Sequence, residues 1–401
     1  MPNNPAELNT AFTSATQITP GIKPRLLKMV LHIMDCRSPR NLRFLSFFLY
    51  GISVGYGLGV RIHHFTRQRK THGTRVLPAP VISVGNLTVG GTGKTPMTRY
   101  IASKLVSKGL RPAILSRGYG GAAQGSGGVV GDGERIWMTP QTAGDEPYLM
   151  AQQLKGVPVL VGKDRYRSGE RAVNQFGADV LILDDGFQYR GVFKDIELLL
   201  LDHRWPFGNG YLLPRGRLRE PVSAMARADA IIWTHYQEGR GADLEKKRLP
   251  LEIPYRFKTQ PACYLHHILT TDGHIQRGVK PSLNGAKIAA FAGIAGNGDF
   301  FRDLTTQGAH LIQTHAFSDH HAYGREDLEA IRSRITFTGA QWLATTAKDD
   351  VRLPADFRWP VPMAVYDVSP RFIGGDGPFF KFIGERLREW RRGVKPGELD
   401  I

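Results

Sequence analysis

Pro80-Val81-Ile82-Ser83-Val84-Gly85-Asn86-Leu87-Thr88-Val89-Gly90-Gly91-Thr92-Gly93-Lys94-Thr95-Pro96 runs from a β-branched apolar stretch into a glycine cluster and then Gly-Lys-Thr. A helical pattern follows, carried by Met97, Ile101 and Leu105. Strand, glycine loop and helix in that order are the context of a P-loop. Glycines let successive backbone N–H groups converge on a phosphate with no Cβ in the way, and the helix N-terminus adds partial positive charge. Gly90, Gly91, Thr92, Gly93, Lys94 and Thr95 are therefore the expected nucleotide-binding residues. Lys94 would reach the terminal phosphates and the Thr95 hydroxyl would hold Mg2+. The strict pattern asks for glycine at position 88, where this chain has Thr88.

Outward from the loop, strand and helix alternate. Val81–Val84, Pro112–Leu115, Pro158–Val161, Val180–Leu183, Glu197–Leu201 and Ala230–Thr234 read as strands, with helices at Pro96–Lys108, Glu146–Gln153 and Asp164–Gln175. The expected fold class is α/β, a doubly wound parallel sheet that binds ligands at the carboxyl ends of its strands. Gly118–Gly133, with eight glycines, reads as a flexible loop. Residues 251–285 read as a two-stranded connector around Asp272-Gly273, a hairpin signal. Residues 286–401 alternate again as a smaller α/β domain closed by the basic helix Phe379–Arg392.

The chain has 401 residues, 41% hydrophobic and 22% charged, enough for two cored domains. Its two cysteines, Cys36 and Cys263, show no pairing or metal spacing and fit a reducing compartment. The net charge of +17 calls for an anionic partner. Residues 1–72 hold ten Lys or Arg against Glu7 and Asp35, so +8 of the charge lies there. Within that stretch Phe44–Val60 carries no charge, at the short limit of the roughly 17–25 residues a membrane crossing needs. A polar tail over 1–21 and a membrane-associating segment over 22–72, spanning the bilayer or lying in its surface, precede a P-loop core over 73–250. Basicity concentrated beside an apolar helix suits anionic lipid and argues against a nucleic-acid ATPase.

Four further constellations could carry chemistry. Asp179-Val180-Leu181-Ile182-Leu183-Asp184-Asp185 is an apolar strand ending in two carboxylates, the place from which a P-loop enzyme reaches the Mg2+ shell. Arg117, within Ser116-Arg117-Gly118-Tyr119-Gly120, stands at a strand end and suits a phosphate. Gly144-Asp145-Glu146-Pro147 reads, on spacing alone, as a helix cap. Asp319-His320-His321 suits a histidine that moves a proton, and Ala347-Lys348-Asp349-Asp350 is a near miss for the guanine-reading N/T-K-x-D.

Together with Phe207–Pro214, Leu218-Arg219-Glu220-Pro221 and Phe291-Ala292-Gly293-Ile294, these stretches closely resemble the tetraacyldisaccharide 4′-kinase family of Gram-negative bacteria, over residues 40 to 390. Thr88 belongs to that family's own loop. The resemblance implies ATP- and Mg2+-dependent phosphorylation of an acylated glucosamine disaccharide lipid at the cytoplasmic face of the inner membrane. It implies that Asp145, paired with His320, takes the acceptor's proton; that Asp184 and Asp185 bind Mg2+; and that Arg117, Tyr119, Gln188, Arg219 and Glu220 line the cleft. Asp145 and His320 fall in different α/β segments, so a complete site would require the two to close. The rival reading is a P-loop NTPase switch or metal-insertion GTPase, drawn from Ala347–Asp350.

Overall fold

The computed structural model describes residues 24–35, 42–69, 74–238, 253–278 and 283–393. The polar tail expected over 1–21 lies outside them, as do parts of the 22–72 segment and of the end of the 73–250 core. Two units emerge, one of residues 22–262 with 370–401 and one of residues 263–369.

The larger unit begins with helices α1 (Pro24–Asp35) and α2 (Arg43–Arg69). Its sheet is built from β1 (Val81–Asn86), β2 (Pro112–Ser116), β3 (Gly128–Gly131), β4 (Val159–Val161), β5 (Val180–Asp184), β6 (Ile196–Asp202), β7 (Ala230–Thr234) and the start of β8 (Tyr255–Leu269). The order is β8-β7-β6-β1-β5-β2-β4-β3, with every pair parallel except β3 with β4. Every residue of β1, β2, β4, β5 and β7 is buried, which is why these strands read as continuous apolar runs. Alternate side chains serve opposite faces. Ile82, Ile114 and Ile182 meet Met97 and Ile101 of α3 (Lys94–Ser107), whereas Val81, Leu115 and Leu181 meet Ala172 of helix Arg165–Phe176.

Two expectations need correction. The glycine-rich 118–133 stretch is not a plain loop: it holds a 3-10 turn, Ala122–Gln124, and β3, which pairs antiparallel with β4. The closing helix, Gly377–Arg391, does not belong with the smaller domain. Its Phe379, Phe380, Phe382, Ile383 and Leu387 are buried in the same core as Met97 and Leu105, and Asp376 at its start holds Tyr100 (2.6 Å) and Lys104 (2.8 Å) of α3. Across the two-stranded connector expected over 251–285, the strands joined at Asp272-Gly273 are unequal in length. β8 spans fifteen residues, and β9 (Ile275–Gln276) pairs with only its last two across Asp272-Gly273. The chain enters the smaller unit within β8 and leaves it within β13 (Met363–Phe372).

In that smaller unit β10 (Lys287–Ala292), β11 (His310–Ala316), β12 (Trp342–Thr346) and β13 form a parallel sheet ordered β11-β10-β12-β13. Ile288, Ala290, Ala344, Ala364 and Tyr366 bury against Phe300 and Leu304 of helix Asn297–Thr306. Helix Arg325–Thr338 buries Leu328, Ile331 and Ile335.

Helix α2 is two-faced. Leu49, Ser53 and Gly57, spaced by four, form the buried stripe. The Ser53 hydroxyl donates to the Leu212 carbonyl (2.9 Å) and accepts from the Arg215 amide (2.9 Å), and the Tyr56 hydroxyl donates to the Arg219 carbonyl (3.0 Å). The segment 207–219 also holds α1, since Asn209 and Arg215 both donate to the Ile33 carbonyl. Phe44, Phe47, Phe48, Ile52, Val54, Leu58 and Ile62 lie exposed, Phe44 at 88%. Residues Arg43–Ile62 are long and apolar enough to cross a membrane, with 11% of the apolar window buried.

Candidate active site

The glycine loop closes as its spacing requires. Gly93 caps α3 in the left-handed region (φ 81°), which glycine adopts without penalty. Thr88 needs no such freedom: it bridges antiparallel to Leu218, and its carbonyl accepts from Asn86 Nδ2 (2.7 Å). Asn86, fully buried at the end of β1, also donates to the Thr92 hydroxyl (2.8 Å), bracing the loop from below. The loop residues Gly90, Gly91, Thr92, Gly93, Lys94 and Thr95 thus stand at the carboxyl end of the central strand.

Opposite them β5 delivers its two aspartates into different surroundings. Asp184 is 3% exposed; it accepts from the Thr98 hydroxyl (3.1 Å) and from the Ser116 hydroxyl (3.5 Å). Burial, then the Glu146 and Asp185 carboxylates, push its pKa from 3.8 up to about 7, against Lys94 and the Thr98 bond. Asp185 turns the other way, with φ 51° in the left-handed region, a conformation a non-glycine residue holds only when its surroundings enforce it. Gly85 makes room for this turn, because a Cβ there would stand 2.6 Å from the Phe187 amide nitrogen. Burial alone would raise Asp185. Lys94 (3.7 Å) and Arg219 (2.9 Å) outweigh it, with Arg165 adding, and hold this carboxyl below its usual range.

Residues outside the expected set complete the cluster. Glu146 accepts from the Thr95 hydroxyl (3.2 Å), tying the P-loop threonine to helix Asp145–Gln153. The cap of that helix is Gly144, and Asp145 is its first residue. The spacing-only reading of Asp145 as a cap is therefore corrected. Arg165 is buried beneath the Tyr189 ring, 4.7 Å from its centroid; burial lowers its pKa, and the charges of Arg117, Asp185 and Asp184 reach it. Glu146 was legible as a residue but masked by the fitness of any glutamate for a helix's first turn. Arg165 gave no signal beyond following a helix-capping aspartate.

The expected cleft residues divide. Gln188 donates to the Asn86 carbonyl (2.8 Å) and accepts from Arg219 (3.3 Å), so Gln188, Arg219 and Asp185 form one group. Arg117 and Tyr119 are exposed, Tyr119 at 72%. Glu220 departs from its expected place: its carboxylate is 2% exposed and clasped by Arg227 (2.9 Å), so it buttresses the wall that Arg219 extends from. Asp145 belongs to the larger unit and His320 to the smaller. Cys263 is half-buried, its thiol pushed up to about 12 by burial and by Asp303 and Asp367, an inert setting.

In the smaller unit the near miss Ala347-Lys348-Asp349-Asp350 puts Asp350, 3.3 Å from His267 Nε2, at the motif's aspartate position and Asp349 at its variable one. Asp349 is 0% exposed and accepts from the Gly293 amide (2.9 Å), the Tyr323 hydroxyl (2.8 Å) and the Thr346 hydroxyl (2.6 Å). Asp349 thus anchors the loops of this unit around Gly293 and Tyr323.

A parallel sheet with a P-loop on its central strand, and acidic residues ending the adjacent one, defines a P-loop phosphotransferase. Comparison with known proteins narrows this class. Residues 45–387 match the family model for tetraacyldisaccharide-1-P 4′-kinase. The chain is 42% identical over 332 residues to the tetraacyldisaccharide 4′-kinase of Desulfatibacillum aliphaticivorans, covering 82% of this chain and 89% of that one. It is 41% identical over 316 residues to that of Pelobacter propionicus, covering 78% and 84%. The crystal structure of LpxK from Aquifex aeolicus in complex with ATP superimposes with a TM-score of 0.66 at 29% identity, covering 86% of this chain and 99% of that one. The chain belongs to the tetraacyldisaccharide-1-P 4′-kinase family and is a kinase.

Proposed function

We propose that the protein transfers the terminal phosphoryl group of ATP to the 4′-hydroxyl of an acylated glucosamine disaccharide 1-phosphate, a step of lipid A synthesis in keeping with the name tetraacyldisaccharide 4′-kinase that its relatives carry. The observation that carries this reading is the cluster Lys94, Thr95, Glu146, Asp184 and Asp185, gathered around the glycine loop. Phosphoryl transfer needs positioning and neutralisation of spreading charge more than covalent help. Lys94 and the loop amides supply the charge, and Arg219, itself bonded to Gln188, holds Asp185 in place beside them.

The carboxylate Asp184 beside the Thr95 hydroxyl and Glu146 suits a divalent cation: a buried acid with acidic neighbours is relieved by positive charge. Among the described residues no group of three or more His, Cys, Asp or Glu is arranged to hold a metal alone. That fits Mg2+, which keeps waters and binds through one or two carboxylates plus substrate phosphates. Thr95, Asp184 and Asp185 would hold it, and when bound it would neutralise phosphate charge. The family resemblance gives catalytic roles to Asp145, which would take the proton from the attacking hydroxyl, and to His320.

The acceptor's acyl chains remain in lipid, and the exposed phenylalanine face of α2, flanked by arginines, suits the cytoplasmic surface of an anionic inner membrane. Ala347, standing where the guanine-reading motif has Asn or Thr, disfavours the rival guanine-nucleotide switch. Incubating the purified protein with ATP, Mg2+ and the acylated disaccharide 1-phosphate should add one phosphate to the lipid by mass spectrometry. GTP hydrolysis unstimulated by the lipid, with no phosphorylated product, would refute the reading.

A further inference from the structure

The segment Thr346-Ala347-Lys348-Asp349-Asp350 is spent on holding the turn that carries His320. Asp349 anchors the Gly293 amide and the Tyr323 hydroxyl, and the Gly293 carbonyl accepts from the His320 amide (3.2 Å). Arg352 closes the anchor, 3.1 Å from Asp349 and 3.0 Å from the Gly293 carbonyl. Two sides of the His320 turn are thereby tied to one buried carboxylate. Within this frame His320 sits at φ 59°, a left-handed conformation unusual for a histidine and kept by its surroundings.

Lys348 extends from the same segment to the imidazole itself. Its Nζ lies 3.2 Å from His320 Nε2 and 3.2 Å from Asp319 Oδ1, and Asp319 Oδ2 stands 3.8 Å from that ring nitrogen. An ammonium can only donate, so a nitrogen bonded to it must accept.

We propose that Lys348 is a positioning residue for His320, fixing the neutral imidazole with Nε2 as acceptor and the ring proton on Nδ1. The histidine then offers Nδ1–H as its donor to a carboxylate, in the way the bond at one ring nitrogen selects the tautomer at the other. This rests on the role proposed for His320 and adds which of its nitrogens acts. The reaction itself is unchanged, and no proton is transferred through Lys348.

The test combines kinetics with nitrogen-15 NMR of the histidine rings in the full-length protein, using Lys348→Met, Lys348→Arg, His320→Ala and the double variant His320→Ala with Lys348→Met. The wild type should show the Nδ1–H tautomer at His320, Lys348→Met a change toward Nε2–H, and Lys348→Arg the wild-type pattern. Lys348→Met should lower kcat about 10- to 100-fold, as loss of a support bonded to a functional histidine does, with KM for ATP unchanged. The double variant should be no slower than His320→Ala, since both substitutions remove one unit. An unaltered His320 tautomer in Lys348→Met, or a double variant slowed by the product of both single losses, would overturn the inference. Full kcat in His320→Ala would instead overturn the proposed role of His320, while the tautomer measurement still decides on Lys348. An unchanged melting temperature of Lys348→Met separates these effects from misfolding.

Discussion

Replacing Asp184 by asparagine should stabilise the metal-free protein while abolishing its chemistry. The carboxyl is buried and its pKa is raised from 3.8 to about 7 by burial and by Glu146 and Asp185. At 1.36 kcal/mol per pH unit, the ionised group costs the folded state about 4 kcal/mol, a ceiling because ions and water penetrating the site screen it. The sign is opposite to that of a salt-bridged aspartate. Between pH 3.8 and about 7 the folded chain keeps a proton that the unfolded chain has lost, so stability falls as pH rises through this window. The full penalty applies above it and none below. Asparagine is close to isosteric, can still accept from Thr98 (3.1 Å in the wild type), and never ionises. Thermal unfolding in a chelating buffer should therefore show Asp184→Asn melting above wild type at pH 8, with the gap closing toward pH 4. Each kcal/mol corresponds to about 1–2 °C for a chain of this length. Added Mg2+ should raise the wild type and leave the variant nearly unmoved. A variant that melts below wild type at pH 8 without metal would refute the reasoning, since the buried charge would then be stabilised by partners the geometry lacks.

Other perturbations test separate parts of the site and fold. Lys94→Ala should weaken turnover through phosphate handling, read as a higher KM for ATP together with a lower kcat; unchanged constants would remove Lys94 from the site. Asp145→Ala should keep ATP binding by calorimetry and lose about 10²- to 10⁴-fold in kcat, the range of general-base catalysis. Near-normal turnover would end the base assignment. Phe379→Ala empties a fully buried site packed against Phe257 and Phe372 and should cost about 3–5 kcal/mol in chemical unfolding; a loss under about 1 kcal/mol would contradict the closing helix's place in the larger core. Serine at Phe44, Phe47 and Phe48 together should reduce sedimentation with anionic vesicles without moving the melting temperature, because these rings touch little of the protein. Unreduced vesicle binding would mean that another surface docks the enzyme.

The parallel strands, the P-loop and the two aspartates at the end of β5 were legible from residue 80 to 235, because continuous apolar runs and glycine clusters are local signals, whereas antiparallel β3 was hidden in a glycine-rich stretch. The smaller α/β unit from β10 to β13 was legible as well. Sequence alone could not say that Asp184 and Asp185, neighbours in the chain, carry opposite pKa shifts, because desolvation and ion pairing depend on what folds against each. Nor could it recruit Glu146 to Thr95, 51 residues away, turn Glu220 from the cleft to Arg227, or return Phe379 to the core of α3. Local pattern fixes which backbone forms, since it acts through neighbours in the chain. Charge state, hydrogen-bond partner and burial are set by distant segments, and only the folded chain brings those together.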